Sequence, residues 1–145
     1  MTIKQVILFR KDLNMRLGKV AAQVAHASMK VFLDLKQTPL EHVETAEGSL
    51  IDPRDALLVS MNEHMAAWVG GSFAKIVLSV ESEEDLLQAL SLAKAAGLPA
   101  SLITDSGKTE FRGVPTNTTV AIGPALASEI DKITGPEGAI RCKLA

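Results

Sequence analysis

The run Gly18-Lys19-Val20-Ala21-Ala22-Gln23-Val24-Ala25-His26-Ala27 limits what this chain can become more than any other stretch. Small residues dominate it and no proline interrupts it. At 3.6 residues per turn it sorts into two stripes. Lys19, Gln23, His26 and Lys30 fall along one; Ala21, Val24, Ala25, Ser28 and Phe32 fall on the neighbouring, more apolar side. An alanine-rich helix can lie close to a sheet and be held firmly, so the spacing predicts a helix from about Gly18 to Leu35, ended before Thr38-Pro39. Lys19 then stands in the first turn, against the helix dipole and beside N–H groups that favour an anion. That placement suggests a site rather than a plain surface helix.

The segments around this helix alternate in period. Gln5–Phe9 is a nearly continuous apolar run, as in a strand covered on both faces. Lys75–Val80, Ala100–Thr104 and Thr118–Gly123 read as three further strands. Ser60-Met61-Asn62-Glu63 reads as a capping box opening a short helix to Trp68. Ser82 opens a helix with acid in its first turn, stopped by Gly97 and Pro99, and Ser128 caps a last helix over Glu129–Ile133. Residues 37–60 read as loop, with a helical turn after Asp52-Pro53, and Ala139-Ile140 as a further edge. The pattern predicts one three-layer α/β domain over 1–145: a mixed four-stranded sheet with helices on both faces. Ligands of such sheets gather at the carboxyl ends of the strands, where the loop Arg10–Gly18 and the turn at Asp105 would meet.

Charge and composition narrow the partners. Residues 1–36 carry seven Lys/Arg against two Asp, and the remainder eight Lys/Arg against fifteen Asp/Glu, so a basic end with Arg10, Lys11, Arg16 and Lys19 faces an acidic remainder. Solvated surface charge explains the same numbers. Four Phe, one Trp and no Tyr are too few for a base-stacking sheet, so nucleic-acid contacts are expected mostly at phosphate and sugar. A lone cysteine, Cys142, and no apolar run of spanning length or leader pattern lead to the expectation of a cytoplasmic protein with no membrane contact.

For chemistry the candidates are Lys19, Asp105, Thr109 and the threonines of Thr116-Asn117-Thr118-Thr119. Taken singly, Asp105 is a turn residue and the threonines suit a strand. No nucleophile elbow, Walker loop or dinucleotide fingerprint accompanies them, and no His/Cys cluster calls for a metal. Neither an organic cofactor nor a metal is expected.

Taken together, these pieces resemble the type-2 peptidyl-tRNA hydrolases. The resemblance rests on Lys4-Gln5-Val6-Ile7 leading to Asp12-Leu13, on the Gly18–Ala27 block, and on Lys75-Ile76-Val77-Leu78. It continues through Ala96-Gly97-Leu98-Pro99, Leu102-Ile103-Thr104-Asp105-Ser106-Gly107-Lys108-Thr109, Thr119–Pro124 and Asp131–Gly135. Order and approximate spacing hold over nearly the whole chain. Two stretches depart from the family: residues 37–71 are longer than usual, and Glu110–Asn117 lacks the proline-glycine-threonine wording, with Thr118 aligned to the family's strand threonine. The resemblance implies hydrolysis of the ester between a peptide and the 3′ end of tRNA, in a homodimer. In it Asp105 would orient or deprotonate water, the more readily if a cleft raises its pKa. Thr109 and Thr118 would hold that water or the ester, and Lys19 would stabilise the oxyanion or hold a phosphate. Gln23 and Arg16 are expected at the substrate. His26, about 10 Å along the helix from Lys19, is expected in a structural or substrate-side role rather than as the base. The competing reading is a non-catalytic binder of tRNA, a nucleotide or a protein partner on the same fold; the acidic residues Glu41, Glu44 and Glu47 favour it most.

Overall fold

The computed structural model describes residues Met1–Ala145. Its centre is a five-stranded mixed sheet: β1 (Ile3–Arg10), β2 (Lys75–Val80), β3 (Ala100–Asp105), β4 (Thr116–Leu126) and β5 (Lys143–Leu144), in the order β3-β4-β1-β2-β5. β1 and β2 run parallel, while β4 lies antiparallel to both β1 and β3. The carboxyl ends of β1, β2 and β3 and the start of β4 therefore share one end of the sheet. Of these strands four match the expected runs. The fifth comes from the tail, where Lys143 and Leu144 pair with Ser79 and Leu78, rather than Ala139-Ile140.

Helices α1 (Leu17–Leu33) and α2 (Glu63–Val69) cover one face; α3 (Glu83–Ala95) and α4 (Ala127–Thr134) cover the other. Strand alternation divides the core accordingly. Val6, Leu8, Val120 and Ile122 point toward α3 and α4, meeting Leu86, Ala89, Ala93, Ile130 and Ile133. Ile7, Ile103 and Ala121 point toward Ala27 and Val31 of α1 and Met65 of α2.

The sheet-facing stripe of α1 is Gln23, Ala27 and Val31. Ala21 and Ala25, expected on the packed side, stay exposed, because α1 sits over β3, β4 and β1 and leaves the β2 edge without a helix. Caps follow the same logic of local donors. Ser82 Oγ accepts from Asp85 N–H at 3.1 Å and Asp52 accepts from Arg54 N–H at 2.8 Å, as expected. α2 is capped by Asn62, which accepts from Met65 N–H at 2.9 Å, so the Ser60 box is not formed. α4 begins at Ala127 with no side-chain cap, so Ser128 lies inside the helix rather than before it. Between α1 and α2, residues 36–59 are not plain loop: Lys36-Gln37 pair with Leu58-Val59, and Val43-Glu44 with Leu50-Ile51, in two short antiparallel ladders.

Candidate active site

Lys19 lies in the first turn of α1, and its ammonium reaches across the end of the sheet to β3. Nζ donates to Asp105 Oδ1 at 2.7 Å and to Thr109 Oγ1 at 3.0 Å. Both charged side chains are largely withdrawn from water, with 15% and 11% of their surface exposed. Asp105 is the last residue of β3, and the chain turns immediately: Gly107 N–H donates to Asp105 Oδ2 at 2.8 Å. Gly107 is irreplaceable there, since its φ is +82° and a Cβ would stand 2.3 Å from the Val114 carbonyl oxygen. The turn thus brings Thr109 back over Lys19.

A second layer supports the pair. Gln23, one turn after Lys19 and 3% exposed, donates from Nε2 to Asp105 Oδ1 at 3.3 Å. Thr118, fully buried, donates to Gln23 Oε1, and Thr119 donates to Thr118 at 3.2 Å. Strand alternation would send Thr118 to the α3 face with Val120. A bulge prevents it: Ile103 pairs with Thr119 but Thr104 pairs with Asn117, which leaves Thr118 as an extra residue in β4. Both adjacent threonines consequently serve the α1 face. Thr118 touches Gln23 rather than standing open to a substrate, so its direct contact with the ester, expected above, gives way to holding Gln23.

The electrostatics reverse one expectation. The Lys19 hydrogen bond, with the Gly107 amide and Gln23 adding to it, outweighs burial and lowers the Asp105 carboxyl below its ordinary value. The cleft does not raise it. Asp105 is a fixed carboxylate at neutral pH, a strong hydrogen-bond acceptor and a weak base. Lys19 directs two of its three N–H bonds at Asp105 and Thr109, leaving one for a third oxygen. Thr109 accepts from Lys19, so its own O–H is free to donate, and the residue is exposed. A remaining ammonium N–H, an exposed hydroxyl and a charged carboxylate can together orient a water and compensate an oxyanion.

The remaining predicted residues separate. Arg16 is the exposed residue before α1 and makes no side-chain cap. His26 is exposed and lines a different hollow with Lys30 and Lys36, so it does not join the Lys19 group. Arg10 is not free for phosphate. Its side chain is 12% exposed, and the guanidinium is gripped by Asp12 at 3.1 and 2.7 Å and bonded to the Asn117 carbonyl at 3.1 Å and Glu83 at 3.3 Å. It ties the loop before α1 to the start of β4. Phe111 also faces this group, its ring centre 5.8 Å from Lys19 Nζ; in the sequence only its closeness to Asp105, Gly107 and Thr109 signals that placement.

A family model described as "Peptidyl-tRNA hydrolase PTH2" matches residues 3–136. The peptidyl-tRNA hydrolase of Methanopyrus kandleri is 37% identical over 132 residues, covering 91% of this chain and 93% of that protein. The peptidyl-tRNA hydrolase of Methanocaldococcus jannaschii is 36% identical over 133 residues, covering 92% and 96%. That of Aeropyrum pernix is 39% identical over 134 residues, covering 91% of each. Among solved structures, a protein of unknown function from Agrobacterium tumefaciens matches with a TM-score of 0.52 at 12% identity, covering 100% of this chain and 98% of that one, a likeness of fold alone.

Proposed function

The chain belongs to the peptidyl-tRNA hydrolase PTH2 family, and we propose that it hydrolyses peptidyl-tRNA through the Lys19–Asp105–Thr109 group, as one domain over 1–145. The observation that carries the site assignment is the convergence of Lys19, Asp105 and Thr109, 86 and 90 residues apart from Lys19, within 3.0 Å of its ammonium. In this reading Asp105 accepts from the attacking water and aligns its lone pair with the ester carbonyl. The free N–H of Lys19 and the Thr109 hydroxyl stabilise charge on the carbonyl oxygen. The water proton passes to the ribose oxygen as the C–O bond breaks, leaving a free peptide and tRNA. Gln23 and Thr118 hold Asp105 in place, and Arg16, with the uncapped first turn of α1, is positioned for phosphate.

The test is release of a labelled N-acetyl-aminoacyl group from tRNA by wild type, Lys19→Ala and Asp105→Asn, with free aminoacyl-tRNA as control. Cleavage of the blocked ester that is lost in both variants supports the assignment; full activity in Asp105→Asn overturns it.

Two finer proposals accompany this one. A homodimer is supported by an apolar hollow of about 660 Å³ between α1 and α2, lined by Ala21, Ala25, Met29, Trp68 and Phe73 among others. Patches of this kind on small proteins serve association, and sedimentation equilibrium reads the result directly. A cytoplasmic location is supported by the substrate and the single cysteine; no helix is long and apolar enough to cross a membrane. Fractionation of cells expressing a tagged chain checks it.

A further inference from the structure

Between Gly107 and Val114 the chain forms a closed loop. Gly113 N–H bonds back to the Gly107 carbonyl at 2.8 Å and Val114 N–H to the Phe111 carbonyl at 3.0 Å. Inside it Phe111 and Arg112 adopt left-handed backbone angles, φ 63° and 52°, which side chains of this size rarely take. The fold holds a phenylalanine in a disfavoured conformation, and hydrophobic packing does not explain it. Phe111 belongs to neither apolar core, is only half-buried, and stacks on no other ring. Its ring instead lies under the ammonium at the centre of the site, 5.8 Å from ring centre to Nζ.

We propose that Phe111 is the stacking face for the base of the tRNA's terminal nucleotide, with Lys108 and Arg112 beside it for the adjoining phosphates; this rests on the hydrolase reading above. The two exposed cations on one flank and the apolar lining of the other together decide which half of the substrate lies here. Lys108 and Arg112 lie close to the ring in sequence and are exposed, with the half-buried Glu110 between them. The opposite flank of α1's first turn is mostly apolar, lined by Phe9, Met15, Leu17 and Val20 together with one cation, Lys11. An anionic nucleotide is matched by the first flank and the uncharged peptide by the second. A base has a π-face whatever its identity, so one ring suffices to seat it, and Lys19 beside that ring meets the ester at the nucleotide's 3′ oxygen.

The experiment measures steady-state hydrolysis of N-acetyl-aminoacyl-tRNA by wild type, Phe111→Ala and Phe111→Trp. It adds a tRNA whose 3′-terminal ribose is acylated but lacks its base. For Phe111→Ala the expected result is KM raised about tenfold with kcat within about twofold, and Phe111→Trp restoring KM, as the loss of one stacked base requires. Wild type on the base-free substrate falls to the level of Phe111→Ala on the complete one, and Phe111→Ala loses nothing further. A drop in kcat with unchanged KM would mean that Phe111 acts through Lys19 and overturns the proposal. So does equal handling of the two substrates by wild type. Wild type inert toward the complete substrate fails the hydrolase reading itself.

Discussion

The two faces of the sheet are built from different materials. Toward α3 and α4 the packing is aliphatic, with Val6, Leu8, Val80, Leu86, Val120, Ile122 and Ile130 all sealed from water. Toward α1 the buried apolar cluster is half the size, and the space is shared with Gln5, Gln23, Ser79, Ser101, Thr118 and Thr119. Buried polar groups are costly unless bonded, and no buried side-chain nitrogen or oxygen lacks a partner. Gln5 shows the care taken: its amide donates to the Gly123 carbonyl at 3.1 Å and accepts from Ser28 Oγ at 2.5 Å. One face supplies cohesion without direction; the other supplies direction at the expense of cohesion.

If that division is right, substitutions on the two faces separate stability from turnover. The largest effect falls on the α1 side. Lys19→Ala is expected to lower kcat/KM by about a thousandfold, the scale of losing a preorganised charge at an oxyanion, with a modest fall in melting temperature at neutral pH. Leu86→Ala, on the other side, is expected to lower unfolding free energy by about 2–5 kcal/mol, while activity per folded molecule stays at wild-type level. A fall in that activity would break the comparison. Thr118→Val sharpens it, because the shape is kept and only the donor to Gln23 is lost. Activity is expected to fall about tenfold through Gln23 and Asp105, with a stability cost of about 1–3 kcal/mol for the orphaned amide oxygen.

The smallest effect is on acid stability. Asp105 is lowered chiefly by Lys19, so the stabilisation it brings is present above the ordinary carboxylate range and lost as pH falls through its lowered value. The difference in denaturation midpoint between wild type and Lys19→Ala is therefore expected to be widest near neutrality and to close below about pH 4. A gap unchanged at low pH would remove the ion pair from the account.

Much of this was readable in the chain, for reasons that differ by element. Four central strands announced themselves because burial on both faces demands unbroken apolar runs, and Ser82 and Asp52 because a cap needs one side chain at one position. Lys19, Asp105 and Thr109 were legible as a group through the resemblance, and their union required only that β1, β3 and α1 share an end of the sheet. β5 was not, since two exposed residues at an edge carry no pattern. The sheet-facing stripe of α1 differs from the apolar one because Gln23 is polar yet buried, its amide satisfied by Thr118 and Asp105, which lie 95 and 82 residues away. Asp105's lowered pKa depends on three donors whose distances no sequence states. The ladders in 36–59 pair two residues at a time, too few for alternation to show.

The extra residue at Thr118 has a consequence of another kind. Beyond it β4 counts its side chains in one phase, before it in the other, so the strand is sensitive to length as well as to composition. Deleting Thr118 would make the ladder regular, with Asn117 and Thr116 still opposite Thr104 and Asp105, while taking away the donor that holds Gln23. A residue lost or gained anywhere else in the strand shifts that phase, whereas loss of Thr118 spares the pairing and empties the layer behind Asp105.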